Sequence, residues 1–278
     1  MKNEEQREPK QNLKLYRYYY LIIIIMYNLT APKVKHNREL TGKLPKNFDP
    51  EILPDPREGF MLGVVAPRGS GKSFLLYNLL SKFYVNCFDH VQLYNPSLGN
   101  DLTLSPESLN LPDDCFFDKV DVEAIEKTIN DQIEEKKNYD KGKLAKKHLS
   151  RVLLVFDDCI SDPNFTSNKN SNLLNMIAFK GRHLRISCIV VSQSYNAGFS
   201  KRMRTNIPSW IFFKCDNMKE RKSIQEEQGG ICREDKFMEM FDYATTYEDY
   251  SFFFIYGTAP NKTKKFRRNL DNILEYKI

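Results

Sequence analysis

With 278 residues, 41% of them hydrophobic, the chain can bury one large α/β core with extensions or two small domains, and one domain is expected. Its 42 basic and 36 acidic residues leave a net charge of +6, an excess that must be localised before it implies a polyanionic partner. Six cysteines without a C-x-x-C spacing and four scattered histidines exclude a zinc framework and read as a protein of a reducing compartment.

In chain order, the first feature is YYYLIIIIMY at 18–27, behind Lys14 and Arg17. A spanning helix needs about 20 apolar residues, so ten are too few and no stable membrane insertion is expected. Acidic residues crowd the first ten positions and no small-residue cleavage site follows, which argues against a signal peptide. The remaining readings are an extra strand, a weak interfacial anchor, or an upstream extension of the reading frame with Met26 as the start, so that residues 1–25 would not be native. Residues 32–58 are polar and punctuated by Pro45, Pro50, Pro54 and Pro56, an extended lead-in without a core of its own. The compact domain is expected over 59–258, followed by a basic tail over 259–278.

Within that domain GFMLGVVA (59–66) is an apolar run before a glycine-rich turn. Leu75, Leu76, Leu79, Leu80 and Phe83 then recur at helical spacing, giving strand, loop, helix. HVQLY (90–94) is a second strand, followed by a loop over 95–118 and a charged amphipathic helix over 120–137. The apolar run 152–156 is a third strand, of the kind buried on both faces, and it ends in Asp157 and Asp158. A helix over 171–179, a strand over 186–191 closing in Ser192 and Gln193, and strands at 210–214 and 251–257 complete the series. Strands alternating with helices predict an α/β fold with a central, mostly parallel sheet covered by helices on both faces.

APRGSGKS (66–73) nearly spells the phosphate-binding loop G-x-x-x-x-G-K-[ST], with Ala66 in place of the first glycine. In such a loop backbone N–H groups and a helix N-terminus cradle phosphate, the lysine reaches the β and γ phosphates, and the hydroxyl binds magnesium. Those parts are Gly69, Ser70, Gly71, Lys72 and Ser73. Ala66 is tolerated wherever φ stays negative. Pro67 has no N–H, so the donors start at Gly69. Asp157 and Asp158 stand where open α/β sheets bind ligands, beyond the carboxyl ends of strands. Asp157 is expected at magnesium and Asp158 as general base toward water, one methylene shorter than the glutamate usual there. Gln193 is placed to sense the γ phosphate or orient that water. An inserted arginine is sought among Arg182, Arg185, Arg202, Arg204 and Arg221, with Arg182 taken as the catalytic one. Basic clusters at 141–147, 201–204 and 264–268 could meet DNA phosphates without reading sequence.

Taken in order, GVVAPRGSGKS, VLLVFDD, GRHLRISCIVVSQS and RTNIPSWIFFK resemble the FtsK/HerA branch of P-loop ATPases. Within that branch they look like the DNA-packaging ATPases of large DNA viruses and virophages, over residues 60–228. The resemblance implies a RecA-like fold, ATP and Mg2+ as cofactors, and ATP-driven translocation of double-stranded DNA into a capsid. It also implies a homo-oligomeric ring of about five or six subunits, a capsid or vertex protein as partner, and a place in the host-cell cytoplasm or the virion. Carried over, Lys72 and Ser73 hold phosphates and metal, with Phe74 beside them in the nucleotide site. Asp157 takes the metal, Asp158 the water, and Gln193 is the sensor. The alternatives are a related translocase serving segregation or transfer, a small-molecule kinase, and a non-hydrolysing scaffold bridging DNA to capsid.

Overall fold

The computed structural model of the protein describes residues 48–275 apart from 100–101, 146–147, 160–161, 163–164, 166–175 and 231. All of these fall in the larger of the chain's two compact units, Leu40–Ile278. The stretch 18–27 and the first half of the helix expected at 171–179 lie outside the described residues, whereas residues 176–180 are helical.

Nine strands among the described residues form one sheet: β1 (Met61–Val65), β2 (His90–Tyr94), β3 (Phe116–Phe117), β4 (Val152–Asp157), β5 (Ile186–Ser192), β6 (Ser209–Phe212), β7 (Phe253–Tyr256), β8 (Phe266–Arg268) and β9 (Asn272–Ile273). Their spatial order is β3-β2-β4-β5-β1-β6-β7-β8-β9. The pairings from β3 through β6 are parallel, and the last three pairings are antiparallel. This is the mostly parallel sheet that the alternation of strands and helices predicts.

Side chains alternate across a strand, so an apolar run such as β4 must be covered on both sides. Val152, Leu154 and Phe156 face one core, with Ile125 and Ile129 of α2 (Val122–Asp140), Ile224 of α3 (Met218–Gln228), and Phe237 and Phe241 of α4 (Glu234–Thr246). Leu153 and Val155 face the other, with Leu75 and Leu76 of α1 (Lys72–Asn78) and with Leu53 and Phe60. Asp121 caps α2 by accepting from Ala124 N at 3.0 Å, which fixes where the charged segment becomes helical. In the middle of β1, Gly63 pairs with Trp210 of β6, and a Cβ at Gly63 would stand 2.3 Å from the indole ring. Glycine is required there for the chain's one tryptophan to lie across β1.

Two segments differ from the sequence reading. The loop expected over 95–118 contains, among its described residues, two 3-10 turns, Leu102–Leu104 and Asp113–Cys115, one α-helical turn, Pro106–Leu109, capped by Ser105, and the short edge strand β3. Two residues are too few to leave a periodic signal. The segment read as a basic tail instead supplies β8 and β9. Phe266 is fully buried beside Phe253 and Phe237. Arg267 is only 3% exposed, because its guanidinium donates to the carbonyls of Glu51 at 2.7 Å, Lys264 at 2.9 Å and Leu270 at 2.9 Å. A buried charge is tolerated when it is hydrogen-bonded, and charge counting along the chain misses such an arrangement. The end of the lead-in packs here too: Tyr256 Oη lies 2.7 Å from Pro50 O and 2.8 Å from Leu53 O.

Candidate active site

The site begins where β1 runs out. Ala66 N donates to Ser192 O at 2.9 Å, so Ala66 continues the sheet by one residue. It is fully buried and is not among the residues with positive φ, which is why a methyl fits where a glycine is usual. Ser70 N donates to Pro67 O at 3.2 Å and closes a turn. Gly69 (φ 78°) and Gly71 (φ 92°) take left-handed backbone that glycine adopts without a steric penalty.

Helix α1 opens at Lys72 with no side-chain cap and no acidic residue in its first turn. The first N–H groups of a helix have no intrahelical acceptor, so those around Lys72 and Ser73 form a partial positive pole facing the loop. Phe74 follows in the same turn, its ring stacked with Tyr77 at 6.4 Å between centroids.

Register brings the other residues to this edge. Val65 pairs with Ser192 and Asp157 with Val191, so β1, β5 and β4 end side by side. Lys72 Nζ lies 2.9 Å from Asp157 Oδ1 and 3.6 Å from Asp158 Oδ2. Asp157 is 2% exposed and also accepts from Asn95 Nδ2 at 3.3 Å, at the end of β2. Asp158 has φ 57°, and its N–H donates to Val191 O at 3.1 Å. That left-handed residue, which aspartate tolerates better than most, turns the chain sharply off β4. Gln193 Nε2 donates to Asp158 Oδ2 at 2.5 Å. The turn after Gln193 is held from α3: Ser194 Oγ bonds to the buried Glu220 carboxylate, and Asn196 N donates to the same oxygen at 3.3 Å.

Cys159 follows the two aspartates without adding a nucleophile. Burial, and then the carboxylates of Asp157, Asp162 and Asp158, push its thiol up to about 12. It stays protonated and lies 3.3 Å from Tyr94 O.

Lys72, Asp157, Asp158 and Gln193 are thus brought together, but Arg182 is not among them. It lies in the turn Gly181–Leu184 that precedes β5, beside Gly59 at the amino edge of the sheet. The length of β5 separates it from Gln193, about 20 Å at a strand's rise of ~3.3 Å per residue. Arg204 is paired with Glu227 at 2.8 and 3.0 Å, Arg221 with Asp242 at 2.7 Å, and Arg185 donates to the carbonyls of Leu149 and Arg57. Arg202 is exposed.

The basic clusters divide similarly. Lys141, Lys143 and Lys201 are exposed, whereas the 264–268 cluster is folded inward through Phe266 and Arg267. Asn95, absent from the residues expected at the site, lies in the segment expected as a loop. Its one signal is a polar residue directly after a strand beside β4.

Comparison with protein-family models finds a match described as "Poxvirus A32 protein" over residues 46–258. The chain belongs to the poxvirus A32 protein family. The matched region takes in the loop, both aspartates and Gln193. A search of curated protein sequences gives no match.

Among solved structures, the cytoplasmic domain of the type VII secretion ATPase EccC from Thermomonospora curvata superposes with a TM-score of 0.50 at 14% identity, over 80% of this chain and 26% of that one. The DNA-packaging ATPase B204 of Sulfolobus turreted icosahedral virus gives 0.45 at 14% identity, over 79% of this chain and all of that one. The pCW3 conjugation coupling protein TcpA gives 0.47 at 13% identity, over 87% and 78%. At 14% identity the likeness to EccC is one of fold. No helix among the described residues is long and apolar enough to cross a membrane.

Proposed function

We propose that the protein is an ATPase that moves double-stranded DNA and packages a viral genome into its capsid, the task that the packaging members of its structural class perform. The observation behind this reading is Lys72, rising from a phosphate-type loop after β1 to lie between two carboxylates at the end of buried β4, with β5 between the two strands and Gln193 on the second carboxylate. A structural ion pair needs neither the capless helix start nor two left-handed glycines.

The residues fit Mg2+. A cation, the Lys72 ammonium, already stands on the Asp157 carboxylate at 2.9 Å. No group of three His, Cys, Asp or Glu side chains able to hold a metal occurs among the described residues. Magnesium suits such a site, because it is usually held by one or two carboxylates plus phosphates and waters. Ser73 and Asp157 would hold it, and when bound it neutralises charge on the β and γ phosphate oxygens.

The chain's own residues do the rest. The N–H groups of Gly69 and of Gly71 through Phe74 orient the phosphates, the Ser70 N–H being used to close the turn on Pro67 O, and Lys72 swings from the aspartates onto them. Asp158 accepts a proton from the attacking water, while the Gln193 amide holds Asp158 and positions that water. Arg182 is too far to act in its own subunit, so any contribution is made to a neighbouring subunit in a ring. An inserted arginine is worth roughly 10³ to 10⁵ in rate. Lys141, Lys143, Lys201 and Arg202 are the exposed cations for DNA phosphates, and a capsid or vertex protein is the docking partner. The protein acts in the cytoplasm of the infected cell or in the virion.

Purified protein is expected to hydrolyse ATP, and faster with duplex DNA. The stimulation should fade as salt rises, because phosphate contacts are screened and counterion release is lost. ATP turnover indifferent to duplex DNA at every salt concentration would remove DNA from the reading.

A further inference from the structure

Residues 247–252, between α4 and β7, end beside the phosphate loop. Phe253 pairs with Phe212, and Phe213 N donates to Val65 O at 2.9 Å, so the start of β7 shares the edge from which the loop leaves β1. Tyr250 lies against the loop itself: a methyl group at Gly71 would stand 3.0 Å from its Cδ1 and 3.4 Å from its Cβ and Cγ. The residue is nonetheless 57% exposed.

Its backbone is left-handed, φ 64°, which for a bulky side chain is an uncommon and strained conformation. The surrounding turn holds it there. Ser251 N and Oγ both donate to Glu248 O, at 3.2 and 2.8 Å. Buried Asn269 accepts from Phe252 N at 3.2 Å and donates its own N–H to Phe252 O at 2.9 Å.

Direction supplies the rest. In the sheet β1 stands between β5 and β6, with β4 beyond β5 and β7 beyond β6. Lys72 leans toward β4, so the terminal phosphate of a bound nucleotide lies on the β4–β5 side. A triphosphate chain is extended, and its sugar and base leave on the other side, toward β6 and β7. Tyr250 is the aromatic ring already against the loop on that side.

Resting on the reading of the loop as a triphosphate seat, we propose that Tyr250 is the platform on which the base of the nucleotide stacks. A tyrosine face offers stacking without hydrogen-bond readout, and stacking of this kind is tolerant of which base it meets. ATP and GTP therefore bind with similar affinity.

The test is calorimetric titration of the full chain with ATP and with tripolyphosphate, a ligand that has no base, each with magnesium. Tyr250→Asn removes the ring and suits left-handed backbone, so the turn is secure; Tyr250→Phe keeps the ring. Tyr250→Asn is expected to weaken ATP by about tenfold or more, the size of one lost stacking contact, and to leave tripolyphosphate unchanged. Tyr250→Phe should bind both ligands as the native protein does. Equal weakening of both ligands by Tyr250→Asn would make the ring a support of the loop, and unchanged ATP affinity would send the base elsewhere; either overturns the platform. Tripolyphosphate binding that survives Lys72→Ala undiminished would instead sink the phosphate-loop reading beneath it.

Discussion

Lys72→Ala is expected to reduce ATP turnover by at least about 10² to 10³, the cost of losing one charged donor aimed at developing negative charge. The effect is large because of what Lys72 faces. Its ammonium reaches both Asp157 and Asp158, within 2.9 and 3.6 Å. Without it, a triphosphate would approach two carboxylates across a short gap, and like charges at that separation repel strongly where water is scarce. Steady-state phosphate release checks the rate. A melting curve is the necessary control, because Asp157 is buried and removing one partner of a buried pair can cost several kcal/mol. Asn95 remains as a donor to that carboxylate.

Asp158→Asn should be the cleaner lesion. Asparagine is among the residues most at home in left-handed backbone, so φ 57° at position 158 is kept and the fold is undisturbed. The amide cannot take a proton from water, and turnover should fall by about 10² to 10⁴, the range of a lost general base. ATP affinity should hold, which separates this variant from Lys72→Ala in a binding assay. Unchanged turnover in Asp158→Asn would move the base to another group. Asp158→Glu should bring no gain in rate. The sharp turn at 158 already sets the shorter carboxylate against Gln193, and glutamate loses the tolerance for left-handed φ.

The central strands were legible because a strand buried on both faces leaves an apolar run, unbroken from Val152 to Phe156 in β4 and interrupted only by the buried Ser187 within 186–191 of β5. The loop at 66–73 was legible because Gly69 and Gly71 take left-handed backbone, a local constraint that shows directly in the sequence. What stayed hidden depends on contacts made across the chain. Arg204 and Arg182 look alike in sequence, yet one is paired with Glu227 and the other sits at the far edge of the sheet. Arg267 reads as tail charge until Glu51, Lys264 and Leu270 are seen to supply its acceptors. Asn95 and Tyr250 lie more than 20 residues from the loop in sequence and reach the site only through the order of the strands. The left-handed backbone of Asp158, φ 57°, is likewise not encoded in any residue pattern.

The most direct measurement is displacement of a triplex-forming oligonucleotide from duplex DNA by the purified protein. A motor that moves along duplex DNA strips the third strand, and one that merely binds does not. Displacement should require ATP and Mg2+ and vanish in Lys72→Ala and Asp158→Asn. Displacement that persists in Lys72→Ala, or ATP hydrolysis with the third strand left in place, would contradict the assignment as a DNA-moving ATPase.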